Sequence, residues 1–319
     1  MKTLSQYKAL VEEGILHLDL DCEPRGLYAP IEYGLAEGGK RLRPVLALAA
    51  CDAVGGEAAD AMNQALGIEI FHNFTLLHDD VMDKADVRRG RPAVHRKFSE
   101  SSAILSGDAM LTLATQTVIT GCPDTALKQV LDLFNTTAME IYQGQQLDMD
   151  FETRTDVSVD EYMEMIRLKT SVLLGCACAL GAIMGGASSE TVCALYSYGE
   201  KLGLSFQLKD DWLDTYGDPA TFGKEIGGDI LNEKKTWLLI TALSEDKSGA
   251  LAAALGKKGA EKVEAVRSVY DTLELSLRCR ALEEKYANEA VECLNNAEIC
   301  DDARNFFAKL ALDSINRTK

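Results

Sequence analysis

The sequence predicts an all-α protein, a single large helical bundle around a deep central cavity. Long amphipathic stretches, in which apolar residues recur at helical spacing, cover most of the chain. No run of alternating β-branched residues forms a convincing strand. Only 6 prolines interrupt the 319 residues, and no linker of disordered composition divides them, so we assign one domain to residues 1–319.

The predicted helices follow one another with short breaks. We expect them at about 3–20, 28–37, 42–54, 57–84, 101–119, 124–149, 159–185, 189–216, 233–246, 260–295 and 299–316. Glycine and proline mark the breaks: Gly38-Gly39 precedes a helix, Arg88 to Pro92 forms a basic loop, and Gly217-Asp218-Pro219 ends another helix. The open alternative is that residues 248–319 pack as a semi-separate C-terminal layer.

Composition and charge favour a soluble metabolic protein of the cytoplasm. The net charge of -17 argues against nucleic acid or an anionic membrane as the main partner, because both require basic patches. The amphipathic stretch Met1–Leu20 resembles neither a signal peptide nor a transit sequence. The 9 cysteines form no Cys-x-x-Cys pair and suit reduced thiols. The uncharged stretch Ser171–Ser189 is rich in small residues, and we interpret it as a buried helix and not as a membrane span.

Two acidic motifs carry most of the functional information. Both read Asp-Asp-x-x-Asp, with aspartates at Asp79, Asp80 and Asp83 and at Asp210, Asp211 and Asp214. On a helix this spacing places the first and last carboxylates one turn apart on one face, with the middle one adjacent. Six carboxylates converging in one cavity would repel each other without divalent cations. Magnesium fits best, because it takes few carboxylates and shares its shell with water and phosphates.

A single acidic motif in a chain with 50 acidic residues is more often a solvated helix face. Two copies, each backed by polar residues at helical offsets within apolar segments, favour a polar cavity. The first stripe contains His72, Thr75, Asp79 and Asp83, and the second contains Gln207, Asp210, Asp211 and Asp214.

Basic residues at loop–helix junctions suggest an anionic ligand. Gly38-Gly39-Lys40-Arg41-Leu42-Arg43-Pro44 combines flexible glycines, a helix start and three cations, which is a plausible seat for a diphosphate. Further candidates are Arg88-Arg89-Gly90-Arg91, Lys169-Thr170, Lys224 and Lys234-Lys235. The implied ligand has negative ends that need both magnesium and arginine, and an apolar body.

The chain resembles the all-trans isoprenyl diphosphate synthases, also called polyprenyl synthetases, over nearly its full length. Each matching segment is moderately specific, and their order along the chain agrees with the family. The segments are Gly38–Pro44, His72–Asp83, Arg88-Arg89-Gly90, Gly107-Asp108-Ala109, Gly144–Asp148, Lys169-Thr170, Phe206–Asp214, Gly223-Lys224 and Asp229–Thr236.

The resemblance implies a role for each matching residue, in a short-chain prenyltransferase of the isoprenoid synthase type. Three magnesium ions would hold the allylic diphosphate through Asp79, Asp80, Asp83, Asp210 and Asp214, with Asp211 beside them in the metal set. Its cationic contacts would be Arg88, Lys169, Lys224 and Lys234. The seat of isopentenyl diphosphate would be Lys40, Arg43, His72 and Arg89. Thr170 and Gln207 would lie near the reacting carbons, where their oxygens steady positive charge.

The implied reaction condenses isopentenyl diphosphate with dimethylallyl, geranyl or farnesyl diphosphate. Magnesium and cationic side chains would stabilise the departing diphosphate, and the isopentenyl double bond would attack the allylic cation. The family view is that the released diphosphate then removes the proton, since no side-chain base is evident in the motifs. The resemblance also implies a homodimer.

The residues five and four positions before Asp79 set product length in this family, and here they are Phe74 and Thr75. Five residues span about 7.5 Å of helix, so the phenyl ring would form a floor just over a turn below the metals. An aromatic residue this close to the metals resembles the arrangement in family members that make C15 or C20 products. The chain lacks the two extra residues that many bacterial farnesyl enzymes carry in the first motif, so C15 and C20 both remain open.

The motifs also distinguish this chain from three other classes of protein. A class I terpene cyclase shares the first acidic motif but normally has an Asn/Ser/Glu pattern at the second. A non-catalytic subunit of a heteromeric prenyl synthase usually lacks part of a metal motif, and both motifs are complete here. A ferritin-like store needs two Glu-x-x-His motifs, and the chain has one, Glu69-x-x-His72.

Overall fold

The computed structural model describes residues 1–36, 38–218 and 226–316, and it confirms the predicted all-α fold. The helices and the two short strands are α1 Leu4–Leu16, α2 Arg25–Leu35, α3 Leu42–Ala53, α4 Met62–Met82, β1 Val87–Arg88, β2 Arg91–Pro92, α5 Val94–Lys97, α6 Glu100–Ile119, α7 Asp124–Thr153, α8 Val159–Ile166, α9 Val172–Met184, α10 Ser189–Tyr216, α11 Gly228–Leu231, α12 Trp237–Glu245, α13 Ala250–Leu255, α14 Gly259–Thr272, α15 Leu275–Cys293 and α16 Asp301–Ile315. Short 3₁₀ turns at Ala58–Ala61 and Leu294–Asn296 complete the helical segments, and a π-helical turn, Arg167–Ser171, joins α8 to α9.

Local chemistry explains where several helices begin. Ser158 caps α8: its hydroxyl accepts from the backbone N–H of Glu161, whose carboxylate accepts from the N–H of Ser158. Thr236 caps α12 with a single hydrogen bond, in which its hydroxyl accepts from the backbone N–H of Leu239. These caps satisfy backbone donors that have no partner inside the helix.

The residues fall into two compact units, and each has its own core. Unit 1 comprises Met1–Thr136, Cys176–Tyr196 and Ala297–Ala303. Its central helix is α3, which is buried on every side from Val45 to Cys51. A side chain at Gly181 of α9 would collide with the backbone of Ala47, so α9 packs closely on α3.

Unit 2 comprises Thr137–Gly175, Ser197–Asn296 and Arg304–Lys319. Its core surrounds α12, whose residues Trp237 to Ile240 are buried and pack with Phe151, Tyr162 and Leu208 among others. This core supports the helices that carry the second acidic motif and Lys169. The assignment of one domain to residues 1–319 stays a prediction.

The structure corrects four details of the predicted elements. The basic loop contains a two-residue hairpin, in which Val87 pairs with Pro92 and Arg88 with Arg91. The helix predicted over 260–295 divides into α14 and α15, because Glu274 adopts a left-handed conformation with φ 58°. The helix predicted over 233–246 begins only at Trp237, and α13 was not predicted.

One helical stretch in the described part of the chain, Val159–Met184, is long and apolar enough to cross a membrane by length and composition. Its apolar window is 83% buried inside the protein. Such burial is typical of a core helix, as expected for the segment from Ser171.

Candidate active site

The first acidic motif occupies the C-terminal end of α4. Asp79 is half-buried, Asp80 is 2% exposed, and Asp83 is the exposed residue that ends the helix. The outer two carboxylates therefore have access to solvent, whereas the middle one points into the protein.

A bidentate ion pair explains the burial of Asp80. Nε of Arg88 donates to Oδ1 of Asp80 at 3.0 Å, and Nη2 donates to the same carboxylate. The hairpin of β1 and β2 carries Arg88 back toward α4, so the turn after the motif places a cation on it. Planar fork-to-carboxylate contacts of this kind fix both groups in orientation.

The glycine-rich loop before α3 meets the same hairpin. Arg89, with φ 50°, donates from Nη1 to the carbonyl oxygen of Gly38. A Cβ atom at Gly39 would lie 3.1 Å from Cζ of Arg89, so any side chain at this position would crowd the guanidinium. Two basic motifs that are distant in sequence are thereby joined, and exposed Lys40 follows directly in the loop.

Arg41 anchors this loop from inside the protein. It is 4% exposed, and it donates to Glu69 at 2.6 Å, to Glu12 at 3.0 Å and to the Leu35 carbonyl at 2.7 Å. The buried guanidinium is thus fully paired, which makes Arg41 a support for the loop.

His72 lies within a group of arginines. Nη1 of Arg43 lies 3.3 Å from its Nε2, and the His72 imidazole is half-buried. Burial, followed by the positive charges of four arginines, holds the pKa of His72 well below its ordinary value. These arginines are Arg43, Arg89, Arg88 and Arg41. His72 is therefore neutral near pH 7 and can accept a hydrogen bond from Arg43.

The two predicted chain-length residues lie on α4 beneath the motif. The ring of Phe74 is 6% exposed and makes edge contacts with Phe71 and His78, at centroid distances of 5.4 and 4.9 Å. Thr75 donates to the carbonyl oxygen of His72 at 2.8 Å. Gly107 leaves room for the His78 ring, because a Cβ there would lie 2.2 Å from its Nε2.

The second acidic motif lies near the C-terminal end of α10 in unit 2, and its middle carboxylate is again turned inward. Asp211 is 4% exposed and accepts from the hydroxyl of Tyr162 and from Nε2 of Gln207, the latter at 3.0 Å. Burial raises the pKa of Asp211 to about 6, although the charge of Lys234 and these two hydrogen bonds oppose the rise. Asp210 and Asp214 are half-buried.

Hydrogen bonds continue from Asp211 to Thr170. Because Asp211 accepts from the amide nitrogen of Gln207, the amide oxygen faces Thr170 and accepts from its hydroxyl at 3.1 Å. A hydroxyl has one hydrogen, so Thr170 keeps its remaining oxygen lone pairs available. Oxygen lone pairs of this kind can stabilise developing positive charge.

Lys169 and Lys234 share an acidic partner. Nζ of Lys169 donates to Oδ2 of Asp148 at 2.5 Å. Burial would raise the pKa of Asp148, but the charges of Lys234 and Lys169 outweigh it and hold that pKa below its ordinary value. Asp148 is therefore ionised, and it holds the ammonium group of Lys169, the residue next to Thr170.

The carboxylate of Asp214 is held by the segment that leads into α11. Its Oδ2 accepts from the backbone N–H of Asp229 at 2.9 Å, and its carbonyl oxygen accepts from Gly227. The motif thus ends on a fixed backbone donor, which orients the last carboxylate.

Within residues 1–36, 38–218 and 226–316, no three His, Cys, Asp or Glu side chains form a ready-made metal site. Each motif instead offers two accessible carboxylates one turn apart, Asp79 with Asp83 and Asp210 with Asp214. Magnesium typically takes one or two carboxylates and completes its octahedron with water and substrate phosphates. The donor set therefore fits magnesium that arrives with a diphosphate.

The structure brings most predicted site residues together within each unit. In unit 1 the positive charge of Arg89 helps to lower the pKa of His72, and Arg88 forms an ion pair with Asp80. In unit 2 hydrogen bonds connect Thr170 to Gln207 and Gln207 to Asp211. Lys224 lies outside the described residues, as does Pro219.

Sequence reasoning assigned no role to Asp148 or Tyr162. Asp148 belongs to a matching segment, Gly144–Asp148, and was visible as a motif member. Arg41 was counted among the three cations of the diphosphate seat, and the structure corrects this, because its guanidinium is buried and paired with Glu12 and Glu69. No sequence signal identified Tyr162.

Comparison with known proteins places this arrangement in a family. The polyprenyl synthetase family model matches residues 24–273. A short chain isoprenyl diphosphate synthase of Methanothermobacter thermautotrophicus is 38% identical, over 98% of this chain and 96% of the relative. A crystal structure of geranylgeranyl pyrophosphate synthase superposes with a TM-score of 0.92 at 41% identity and covers 100% of both chains. The geranylgeranyl pyrophosphate synthase of Corynebacterium glutamicum, in complex with isoprenyl diphosphate and magnesium, has a TM-score of 0.86 at 27% identity over 98% of both chains.

These matches confirm the resemblance stated from the motifs and the predicted class of enzyme, a trans-prenyltransferase. They do not favour the terpene cyclase or the non-catalytic subunit. The family match covers most of the chain, and both acidic motifs lie inside it. The chain belongs to the polyprenyl synthetase family.

Proposed function

We propose that this prenyltransferase condenses isopentenyl diphosphate with allylic diphosphates and releases geranylgeranyl diphosphate, a C20 product. Two complete acidic motifs within a family match over residues 24–273 carry the proposal. Geranylgeranyl products are favoured over farnesyl because structures named as geranylgeranyl synthases match the whole chain at a TM-score up to 0.92. The aromatic Phe74 is compatible with C15 and C20 alike.

In this proposal the allylic diphosphate binds to magnesium held by the outer carboxylates of both motifs, with Asp80 and Asp211 supporting them. Bound magnesium would neutralise the diphosphate as it leaves. We assign three ions to the site, and the complex of the Corynebacterium glutamicum enzyme with isoprenyl diphosphate and magnesium supports the choice of metal.

The cationic residues bind the diphosphate groups directly. Arg88, Lys169, Lys224 and Lys234 contact the allylic diphosphate in this proposal, and Lys40, Arg43, His72 and Arg89 bind isopentenyl diphosphate. The tie from Arg89 to the Gly38 carbonyl supports the second group, because it brings the glycine loop to the hairpin. Neutral His72 can offer one ring N–H to a phosphate oxygen without adding charge.

Thr170 and Gln207 act where the positive charge develops. When the allylic C–O bond breaks, the electron pair leaves with the diphosphate, and the carbon becomes cationic. The lone pairs of the Thr170 hydroxyl, whose hydrogen is committed to Gln207, stabilise that carbon. The isopentenyl double bond then attacks, and the released diphosphate accepts the proton that is lost.

We further propose that the enzyme works as a homodimer in the cytoplasm. All 9 cysteines are free in the structure, which supports a reducing compartment. The dimer follows from the family resemblance.

Product analysis tests the proposal. The purified protein is incubated with isopentenyl diphosphate, magnesium and primers from C5 to C15, and the dephosphorylated products are separated by chromatography. We expect geranylgeraniol as the main product from every primer. Farnesol alone would overturn the C20 assignment, cyclic hydrocarbons would indicate a cyclase, and elongation only after a second subunit is added would identify a heteromeric enzyme.

A further inference from the structure

The backbone changes helical type where Lys169 and Thr170 lie. The π-helical turn Arg167–Ser171 interrupts the otherwise α-helical path from α8 to α9. Such turns are rare, and they often occur at functional sites because they re-aim side chains. The hydroxyl of Ser171 donates to the carbonyl oxygen of Ile166 at 3.3 Å, which satisfies one acceptor next to the turn.

Two glycines from different helices press on this turn. A Cβ at Gly144 of α7 would lie 2.3 Å from the backbone nitrogen of Lys169. A Cβ at Gly203 of α10 would lie 2.5 Å from Cα of Ser171. Both distances are shorter than any real contact, so only glycine permits each helix to approach the turn this closely.

An arginine at the first position of the turn ties the same two helices together. Arg167 donates to both carboxylate oxygens of Glu164, at 2.7 and 2.8 Å, and to Glu200 of α10 at 3.0 Å. Its Nη1 also lies 3.8 Å from Glu140 of α7.

The glutamates that interact with Arg167 and the two glycines have similar spacing on their helices. Glu140 lies four residues before Gly144 on α7, and Glu200 lies three residues before Gly203 on α10. On each of these two helices, a glutamate therefore interacts with Arg167, and a glycine about one helical turn later packs against the π-helical segment.

We propose that Arg167, Gly144 and Gly203 are positioning residues that hold the π-helical turn in place, so that Lys169 and Thr170 stay aimed at the allylic diphosphate. The catalytic consequence rests on the proposed function, whereas the clamping of the turn does not. A displacement of about 1 Å at Thr170 is expected to lower turnover by up to roughly a hundredfold.

Arg167→Gln tests the ion-pair half of the clamp, with Lys201→Gln as the matched control. Lys201 is on the same helix as Glu200, is similarly exposed, and pairs with Glu289 of α15 at 2.8 Å, so its replacement removes no ion pair of Arg167. Hydrogen–deuterium exchange followed by mass spectrometry is the first readout. We expect amides 167–171 to exchange about tenfold faster in Arg167→Gln and unchanged in Lys201→Gln. Arg167→Lys is expected to restore part of the protection, since it keeps the charge but not the bidentate geometry.

Steady-state kinetics provide the second readout. We expect Arg167→Gln to lower kcat by about tenfold or more, while the KM for isopentenyl diphosphate changes by less than roughly twofold. Gly144→Ala should show the same pattern more strongly. If Gly144→Ala does not fold, Glu200→Gln is used in its place, because it removes one ion pair and adds no atoms.

The outcomes are distinguishable. Unchanged exchange at 167–171 in Arg167→Gln would overturn the clamp, even if the protein makes no prenyl product. Faster exchange with an unchanged kcat would overturn the positioning role. A loss of kcat of equal size in Lys201→Gln would mark a general stability effect and overturn it as well.

Discussion

Nε2 of Gln207 donates a hydrogen bond to Oδ1 of Asp211 at 3.0 Å, one helical turn further along α10. The other oxygen of this buried carboxylate accepts from Tyr162. Asp211 thus uses both oxygens on protein groups and fixes the direction of the Gln207 amide. Asp210, its half-buried neighbour, is more accessible.

Asp211→Asn and Asp210→Asn are therefore expected to differ. Asp211→Asn should lower kcat by about ten- to a hundredfold, the effect of losing a hydrogen bond to a charged group, with little change in the magnesium concentration that gives half-maximal rate. Asp210→Asn should raise that concentration. The measurement is the initial rate of each variant over a magnesium titration. An equal rise in the half-maximal magnesium concentration in both variants would indicate that Asp211 is itself a metal ligand.

Arg89→Ala should chiefly weaken the binding of isopentenyl diphosphate. The loss of one charged contact costs roughly 1.5–3 kcal/mol, so the KM for this substrate should rise by at least about tenfold. Arg96→Ala is the control, because Arg96 forms an exposed ion pair with Asp86 close to the same hairpin. Separate titrations of both substrates are the measurement, and an equal rise in the allylic KM would count against a distinct seat.

The low pKa of His72 predicts a pH dependence of stability. As pH falls below about 6.5, the unfolded chain binds a proton that the folded protein does not, so the free energy of unfolding declines. The slope from this residue is at most about 1.4 kcal/mol per pH unit, and it vanishes above the unfolded pKa.

His72→Asn removes this contribution. Urea unfolding of both proteins between about pH 7.5 and 5.5 isolates the effect as the difference between their curves, because the other groups are common to both. Parallel curves would mean that His72 protonates equally well in the folded protein.

Helices that depend on local sequence signals were predicted well. The range 189–216 agrees with α10 at both ends, since Ser189 lies at its start and Gly217 at its stop. The break at Glu274 was missed because a non-glycine residue with φ 58° carries no local signal. The π-helical turn was missed for a related reason: the backbones that pack on it belong to α7 and α10, which are distant in sequence.

In the candidate site, too, local patterns were predictable and contacts between distant residues were not. Motif spacing predicted that the aspartates of each motif lie together at one end of a helix, and the family resemblance suggested which lysines and arginines accompany them. It could not predict that Tyr162 holds Asp211 or that Asp148 holds Lys169, because these contacts join residues 49 and 21 positions apart. Partners of this kind are set by tertiary packing.

Phe74→Ala is expected to lengthen the product. Truncation of the ring opens space just over a turn below Asp79, while the metal-binding carboxylates keep their positions on α4. Chromatography of the dephosphorylated products should therefore show chains longer than those of the unaltered enzyme.

Stability must be measured alongside product length, because Phe74 also packs against Phe71 and His78. Loss of a buried phenyl ring costs about 3–5 kcal/mol in either case. Phe134→Ala is the control: Phe134 is 1% exposed and also packs against Phe71, at a centroid distance of 5.3 Å. We expect both variants to melt at lower temperature, and only Phe74→Ala to change chain length. A destabilised Phe74→Ala protein with unaltered products would show that this ring supports the core and does not set the floor.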